Sequence, residues 1–288
     1  MKLNHSLLAA MASFAALTFA QAAMAQESAV TRAGPIKNIV LVHGLYADGS
    51  SWEKVIPLLQ AQGLHVTSVQ NPTTSLDADV DAVKRALAQE DGPTLLVAHS
   101  YGGMVISQAG DDPKVAGLVY IAARAPDAGE DYPALTRKFP AAPASAGLLW
   151  SADGFGKLSM QAFLNDFAGD LPRKEAATYY AVQQPMGKAI TMAKTTVAAW
   201  RSKPTWYAVS TEDRTINPDL QRFMAKRMGA ETIEIPSSHV SLISRPKQVA
   251  NLILQAAGNQ QGTRAAQART FSNHYAVTTA RDPYTDGV

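Results

Sequence analysis

Cysteine is absent from the 288 residues. That excludes disulfides, thiolate metal sites and a cysteine nucleophile, and it leaves the chain safe in an oxidising compartment. Charge is sparse: 17% of residues are Asp, Glu, Lys or Arg, and the net charge is +2. So weak a bias, with no basic stripe interleaved with aromatics, argues against a nucleic-acid partner. Neither common glycine-rich phosphate loop occurs, and neither does a His-Glu-x-x-His metal spacing, so no metal and no organic cofactor is expected. Beyond the first 25 residues no apolar run is long enough to cross a bilayer, and no internal repeat is found.

What is present is a large apolar fraction, 47%, enough for one sizeable core. Residues 1–25 have a basic start at Lys2, an apolar run over 7–20 and a small-residue end, Ala23-Met24-Ala25. That pattern predicts a cleaved export signal, and so a periplasmic or secreted protein with no membrane span once processed. Residues 26–257 read as one domain. From Gly258 the chain is rich in Gln, Asn, Thr, Arg and Gly without periodicity, which predicts a disordered tail over 258–288. Oligomeric state is not legible.

Within the domain, apolar runs at 36–42, 65–69, 94–98, 115–121, 205–209 and 231–235 read as strands. They alternate with helical patterns at 51–62, 77–88, 104–109, 219–228 and 246–257. Such alternation predicts an α/β fold with a mostly parallel, doubly wound sheet. The rhythm breaks over about 123–203, where helices are expected at 160–167, 174–183 and 189–200 with no strand between them.

The chemistry centres on Thr94-Leu95-Leu96-Val97-Ala98-His99-Ser100-Tyr101-Gly102-Gly103. An apolar strand runs into a sharp corner, and two glycines let a helix start hard against the sheet. A serine at such a corner has its hydroxyl pushed out above the sheet, facing the N–H groups of the helix start. This stretch resembles the nucleophile elbow of the α/β-hydrolases, with Ala98 in place of the usual first glycine. The resemblance extends over about residues 36–257 and is nearest to the small capped serine esterases, the branch with plant hydroxynitrile lyases and methyl-ester hydrolases.

The resemblance implies the rest of a site. The 123–203 insertion becomes a helical cap. His43-Gly44-Leu45-Tyr46, after the first strand, becomes the oxyanion loop, with the N–H of Leu45, or second Tyr46, paired with that of Tyr101. The order serine, acid, histidine is met by Ser100, Asp213 and His239. Of the six histidines only His239 stands on a loop between the last strand and the closing helix; His43 and His99 read as structural neighbours. Asp213 is favoured over adjacent Glu212 because Asp213-Arg214-Thr215-Ile216-Asn217-Pro218 matches the acid loop. Asp48, Asp77 and Asp79 read as caps or solvated charges at turns and helix starts. The implied activity is hydrolysis of a small carboxylic ester through an acyl-serine. Its rivals are a hydroxynitrile-lyase-like or other lyase on the same triad, an amidase or lactonase, and a binding protein that keeps the fold without catalysis.

Overall fold

The computed structural model describes residues 36–258. The expected signal segment and the tail beyond Gly258 lie outside the described residues. No helix among the described residues is long and apolar enough to cross a membrane.

Six strands form one parallel sheet: β1 (Asn38–Val42), β2 (His65–Val69), β3 (Thr94–His99), β4 (Val115–Ile121), β8 (Thr205–Ser210) and β9 (Glu231–Ile235), ordered β2-β1-β3-β4-β8-β9. Every residue of β1 and β3 is buried, as expected of central parallel strands covered on both faces. The edge strands β2 and β9 are half solvated. From β1 the chain steps outward to β2, then returns to the other side of β1 with β3. The carboxyl ends of β1 and β3 therefore flank the point where the strand order reverses, where doubly wound folds open a crevice.

Helices α1 (Ile56–Gln60), α2 (Leu76–Gln89) and α3 (Gly102–Ala109) follow the first three sheet strands. The expected helix over 51–62 is shorter than its pattern. Asp48 accepts a hydrogen bond from the Ser50 N–H at 2.8 Å and starts a 3₁₀ turn, Gly49–Trp52; the α-helix begins only beside Pro57. Helix α3 starts in a very tight space. A Cβ on Gly102 would lie 2.8 Å from the His43 carbonyl oxygen, and one on Gly103 would lie 2.2 Å from that of Arg124. Two glycines are thus what lets the helix N-terminus wedge between the ends of β1 and β4.

The insertion between β4 and β8 is not wholly helical, contrary to expectation. It holds a short helix, α4 (Tyr132–Thr136), and a three-stranded antiparallel sheet of β5 (Leu148–Trp150), β6 (Phe155–Leu158) and β7 (Met186–Gly187). The β5–β6 hairpin turns at Ser151-Ala152-Asp153-Gly154, where Gly154 adopts φ +84° and Ser151 is hydrogen-bonded to the Phe155 carbonyl. An Asp-Gly pair between two short apolar runs is itself a hairpin signal. A helical turn at Met160–Ala162, passing into a π turn at Phe163–Phe167, and helix α5 (Arg173–Ala181) follow the expected pattern. The third expected helix is absent. Residues 189–200 form 3₁₀ turns at Lys188–Met192 and Ala199–Arg201 with extended chain between. There the Gln108 side-chain oxygen takes the N–H groups of Thr196 (2.7 Å) and Val197 (3.2 Å), donors that a helix would need.

Helix α6 (Pro218–Met228) lies between β8 and β9, and α7 (Ser241–Ser244) and α8 (Pro246–Ala256) close the domain. The wedge at Gly103 can be checked directly. Gly103→Ala puts a methyl against a backbone oxygen, and urea unfolding should show a loss of about 1–3 kcal/mol, the usual cost of overpacking; an unchanged midpoint would show the helix start to be looser than the geometry implies.

Candidate active site

Ser100 stands on the corner between β3 and α3 with φ +55°, a left-handed backbone that a non-glycine residue rarely adopts. The corner is pinned from three directions. Its N–H donates to the Ile121 carbonyl (3.1 Å), and its carbonyl accepts from the N–H groups of Gly103 (3.0 Å) and Arg124 (2.9 Å). The end of β4 and the chain beyond it thus hold the strained residue in place. From the other side the β1 loop presses in: a Cβ on Gly44 would lie 2.6 Å from the Ser100 Cβ. Leu45, next in the loop, and Tyr101, next after the serine, are both buried, and the loop continues through Tyr46 at φ +61°.

Asp213 follows β8 and His239 follows β9. The His239 Nδ1–H donates to Asp213 Oδ2 at 2.7 Å, and neither side chain is exposed to solvent. The second carboxylate oxygen, Oδ1, accepts the N–H groups of Thr215 (2.7 Å) and Ile216 (2.9 Å). Glu212 is exposed and turned away, its N–H donating to the Ser237 carbonyl. A carboxylate so fully hydrogen-bonded can be buried beside an imidazole, where it fixes the ring's tautomer and orientation.

Two further residues shape this pair. Gln221 on α6 donates its amide to Asp213 Oδ2 (2.7 Å) and to the Ile216 carbonyl (2.9 Å), and accepts the Ser210 N–H (3.0 Å). Sequence reasoning missed it, although a glutamine on the buried face of an amphipathic helix, between Leu220 and Met224, is a visible anomaly. His99, beside the serine, donates Nε2–H to the His239 carbonyl (2.9 Å), and the two rings lie 4.6 Å apart. Burial and then the neighbouring His239 hold the His99 imidazole well below its usual pKa, so it is neutral and serves as a strut between elbow and histidine loop. His43 is also buried, its Nδ1 bonded to the Gly44 carbonyl at 2.8 Å.

The structure therefore brings Asp213 onto His239 and the His239 loop onto the elbow. It draws no hydrogen bond between Ser100 and His239; the His239 Nε2 is buried without a partner among the described residues.

The cap seals this end of the sheet. The Phe167 ring lies 5.1 Å from that of His239, 6.4 Å from that of His99 and 6.2 Å from that of Tyr46, and it packs on Phe163 at 4.7 Å. Ser238, just before the histidine, donates to Asp170 of the cap at 2.5 Å. Between cap and sheet lies a hollow of about 10 Å³ bounded by Tyr46, His99, Phe163, Phe167, Val182, Val240 and Leu242. That is room for at most one water. Among the described residues no cluster of His, Cys, Asp and Glu could hold a metal ion.

A parallel doubly wound sheet, a serine on a left-handed strand-to-helix corner and a buried aspartate–histidine pair on the last two loops define the α/β-hydrolase class. The sequence pattern of the alpha/beta hydrolase family matches residues 39–252, and the chain belongs to that family. It is 27% identical over 247 residues to a pyrethroid hydrolase of Sphingobium wenxiniae, covering 76% of this chain and 86% of that one. It is 25% identical over 261 residues to the putative methylesterase 19 of Arabidopsis thaliana, covering 77% and 97%. Among solved structures, polyneuridine aldehyde esterase shares the fold with a TM-score of 0.67 at 20% identity, over 77% of this chain and 99% of that one.

The strut on Asp213 gives a test. Gln221→Leu removes one donor from Asp213 and orphans the buried Ser210 N–H. Stability should fall by about 1–3 kcal/mol in chemical denaturation; a variant as stable as the parent would show the amide to be dispensable.

Proposed function

We propose that this protein hydrolyses carboxylic esters through an acyl-serine intermediate. The observation that carries the reading is the buried 2.7 Å contact between Asp213 and His239, locked by His99 against the strained corner bearing Ser100. A serine hydroxyl is a poor nucleophile until a base takes its proton. In this reading the unpartnered Nε2 of His239 is that base, and Asp213, joined to Nδ1, stabilises the imidazolium as it forms.

Ser100 Oγ attacks the ester carbonyl, and the proton passes to His239. The carbonyl oxygen becomes an oxyanion between the N–H groups of Leu45 and Tyr101, on the two loops pressed together at the strand-order reversal. His239 then hands the proton to the departing alcohol. A water molecule, activated by the same imidazole, frees the acid and restores the serine.

The aromatic and aliphatic surround, from Tyr46, Phe163, Phe167, Val182 and Val240, favours an uncharged, fairly apolar ester. The relatives named for pyrethroid and methyl-ester hydrolysis support the reaction class. The alanine-rich N-terminal stretch ending at Ala25 supports an exported enzyme acting in the periplasm or outside the cell.

Ser100→Ala should abolish hydrolysis of a short p-nitrophenyl ester while the circular dichroism spectrum and melting temperature stay those of the parent. Asp213→Asn should lower kcat by roughly 10³–10⁴-fold, and the exposed neighbour change, Glu212→Gln, should leave it within about twofold. Full activity in the serine variant would remove Ser100 from the mechanism, and a crippling effect of the glutamate change would reassign the acid.

A further inference from the structure

Asp79 belongs to the first turn of α2, where acids usually face solvent and favour the helix dipole. Here it does not. Ser75 caps the helix, its hydroxyl accepting the Ala78 N–H at 3.2 Å. The resulting phase puts Asp79 on the same face as the buried Leu76, Val80, Val83 and Leu87, with no exposed surface. Neither Lys nor Arg pairs with it among the described residues. A carboxylate placed there is expensive unless both oxygens are hydrogen-bonded.

Both are. Tyr101 donates its hydroxyl to Oδ2 at 2.8 Å, and Thr73 donates its backbone N–H to Oδ1 at 2.7 Å. Burial pushes the Asp79 carboxyl up to about 6, with the two hydrogen bonds pulling back. The two donors come from different parts of the molecule. Tyr101 is the residue after Ser100. Thr73 sits at φ +53° and clasps the cap: its hydroxyl donates to the Pro185 carbonyl (2.9 Å), and its own carbonyl accepts the Gly187 N–H of β7 (2.7 Å). The fit is close, since a Cβ on Gly187 would lie 2.3 Å from the Thr74 carbonyl oxygen. Beside Gly187, Met186 receives the Tyr46 hydroxyl at its sulfur, 3.2 Å away. One carboxylate thus joins the elbow to the seat of the cap.

We propose that Asp79 is a positioning residue for the reaction at Ser100. By holding the Tyr101 hydroxyl and the Thr73 N–H on its two oxygens, it fixes the oxyanion donor at the elbow and ties that donor to cap strand β7. The role rests on the reading of Tyr101 as an oxyanion donor in ester hydrolysis. The physical reason is leverage. The Tyr101 ring is fully buried and anchored at its far end, so the peptide that carries its N–H cannot swing. Oxyanion donors act only when held to within a fraction of an ångström of the developing charge.

The test is steady-state hydrolysis of a short p-nitrophenyl ester by Asp79→Ala, Asp79→Asn, Tyr101→Phe and the Asp79→Ala/Tyr101→Phe double variant. Inhibition by phenylboronic acid, whose tetrahedral adduct carries the negative charge of the oxyanion, is measured alongside. Asp79→Ala should lower kcat about thirty-fold and Tyr101→Phe about tenfold, with KM within about twofold, as for loss of a charge-assisted hydrogen bond. Asp79→Asn keeps an acceptor for Thr73 and a polar partner for Tyr101, and should recover most of the loss. The double variant should be no slower than Asp79→Ala alone, and boronate inhibition should weaken by the same factor as kcat/KM. The proposal is overturned if either breaking variant keeps kcat within twofold, if Asp79→Asn is as slow as Asp79→Ala, or if boronate binding is unchanged while kcat falls. Should Asp79→Ala fail to fold, Tyr101→Phe alone decides, since it leaves the carboxylate in place. Ser100→Ala in the same assay separates the two ideas: an active serine variant defeats the reading of the site, whereas an inactive one beside fully active Asp79 and Tyr101 variants defeats only the role of Asp79.

Discussion

The backbone strain at Ser100 is the constraint from which the rest of the site follows. A side chain at φ +55° persists only where its surroundings over-determine it. Three backbone hydrogen bonds to the end of β4 and the start of α3 do so, and they need Gly102 and Gly103 to admit neighbouring carbonyl oxygens at distances no Cβ would allow. The same crowding brings the β1 loop onto the elbow at Gly44. The Ser100 corner, the start of α3 and the β1 loop are therefore one packing unit, assembled where the strand order reverses.

A second unit is built on burial. The side chains of Asp213 and His239 have no solvent contact, and water would otherwise screen their pairing. The carboxylate is affordable there because Thr215, Ile216 and Gln221 satisfy it together with the imidazole. The neutral His99 couples this unit to the first one through the His239 carbonyl. The cap joins at Phe167, whose ring faces both imidazoles, and at Asp170, which accepts the Ser238 hydroxyl. Its seat on the sheet side is the Thr73 turn, tied to the elbow through Asp79. Cap position and elbow geometry are thus linked on two sides, through the Thr73 turn and through Phe167 and Asp170.

The sheet was legible because buried parallel strands are nearly continuous apolar runs, and each of the six expected strands lies within a residue or two of its observed position. The cap was not. Its strands are two to four residues long, too short for a period to register, so the only local sign was the Asp153-Gly154 turn. The extended chain at Thr195–Val197 had no local sign at all, since it is stabilised by Gln108, some 88 residues away in sequence. Gln221 and Asp79 share another history. Each is a polar residue on the buried face of an amphipathic helix, and such a position marks a hydrogen-bonding duty without saying to whom.

What the amino-acid order determined by itself was local: strand and helix periods, a small-residue corner around Ser100, and loops bearing Asp213 and His239 in the order the fold uses. What only the tertiary structure decided was which polar groups meet once water is excluded. Asp213 rather than Glu212 faces the imidazole because the β8 loop turns one inward and leaves the other in solvent. Asp79 becomes a buried anchor because the phase of its helix, set by the Ser75 cap, aims it at Tyr101 and Thr73. Periodicity is a property of neighbours along the chain, whereas the desolvation that gives these contacts their strength arises only when segments remote in sequence pack together.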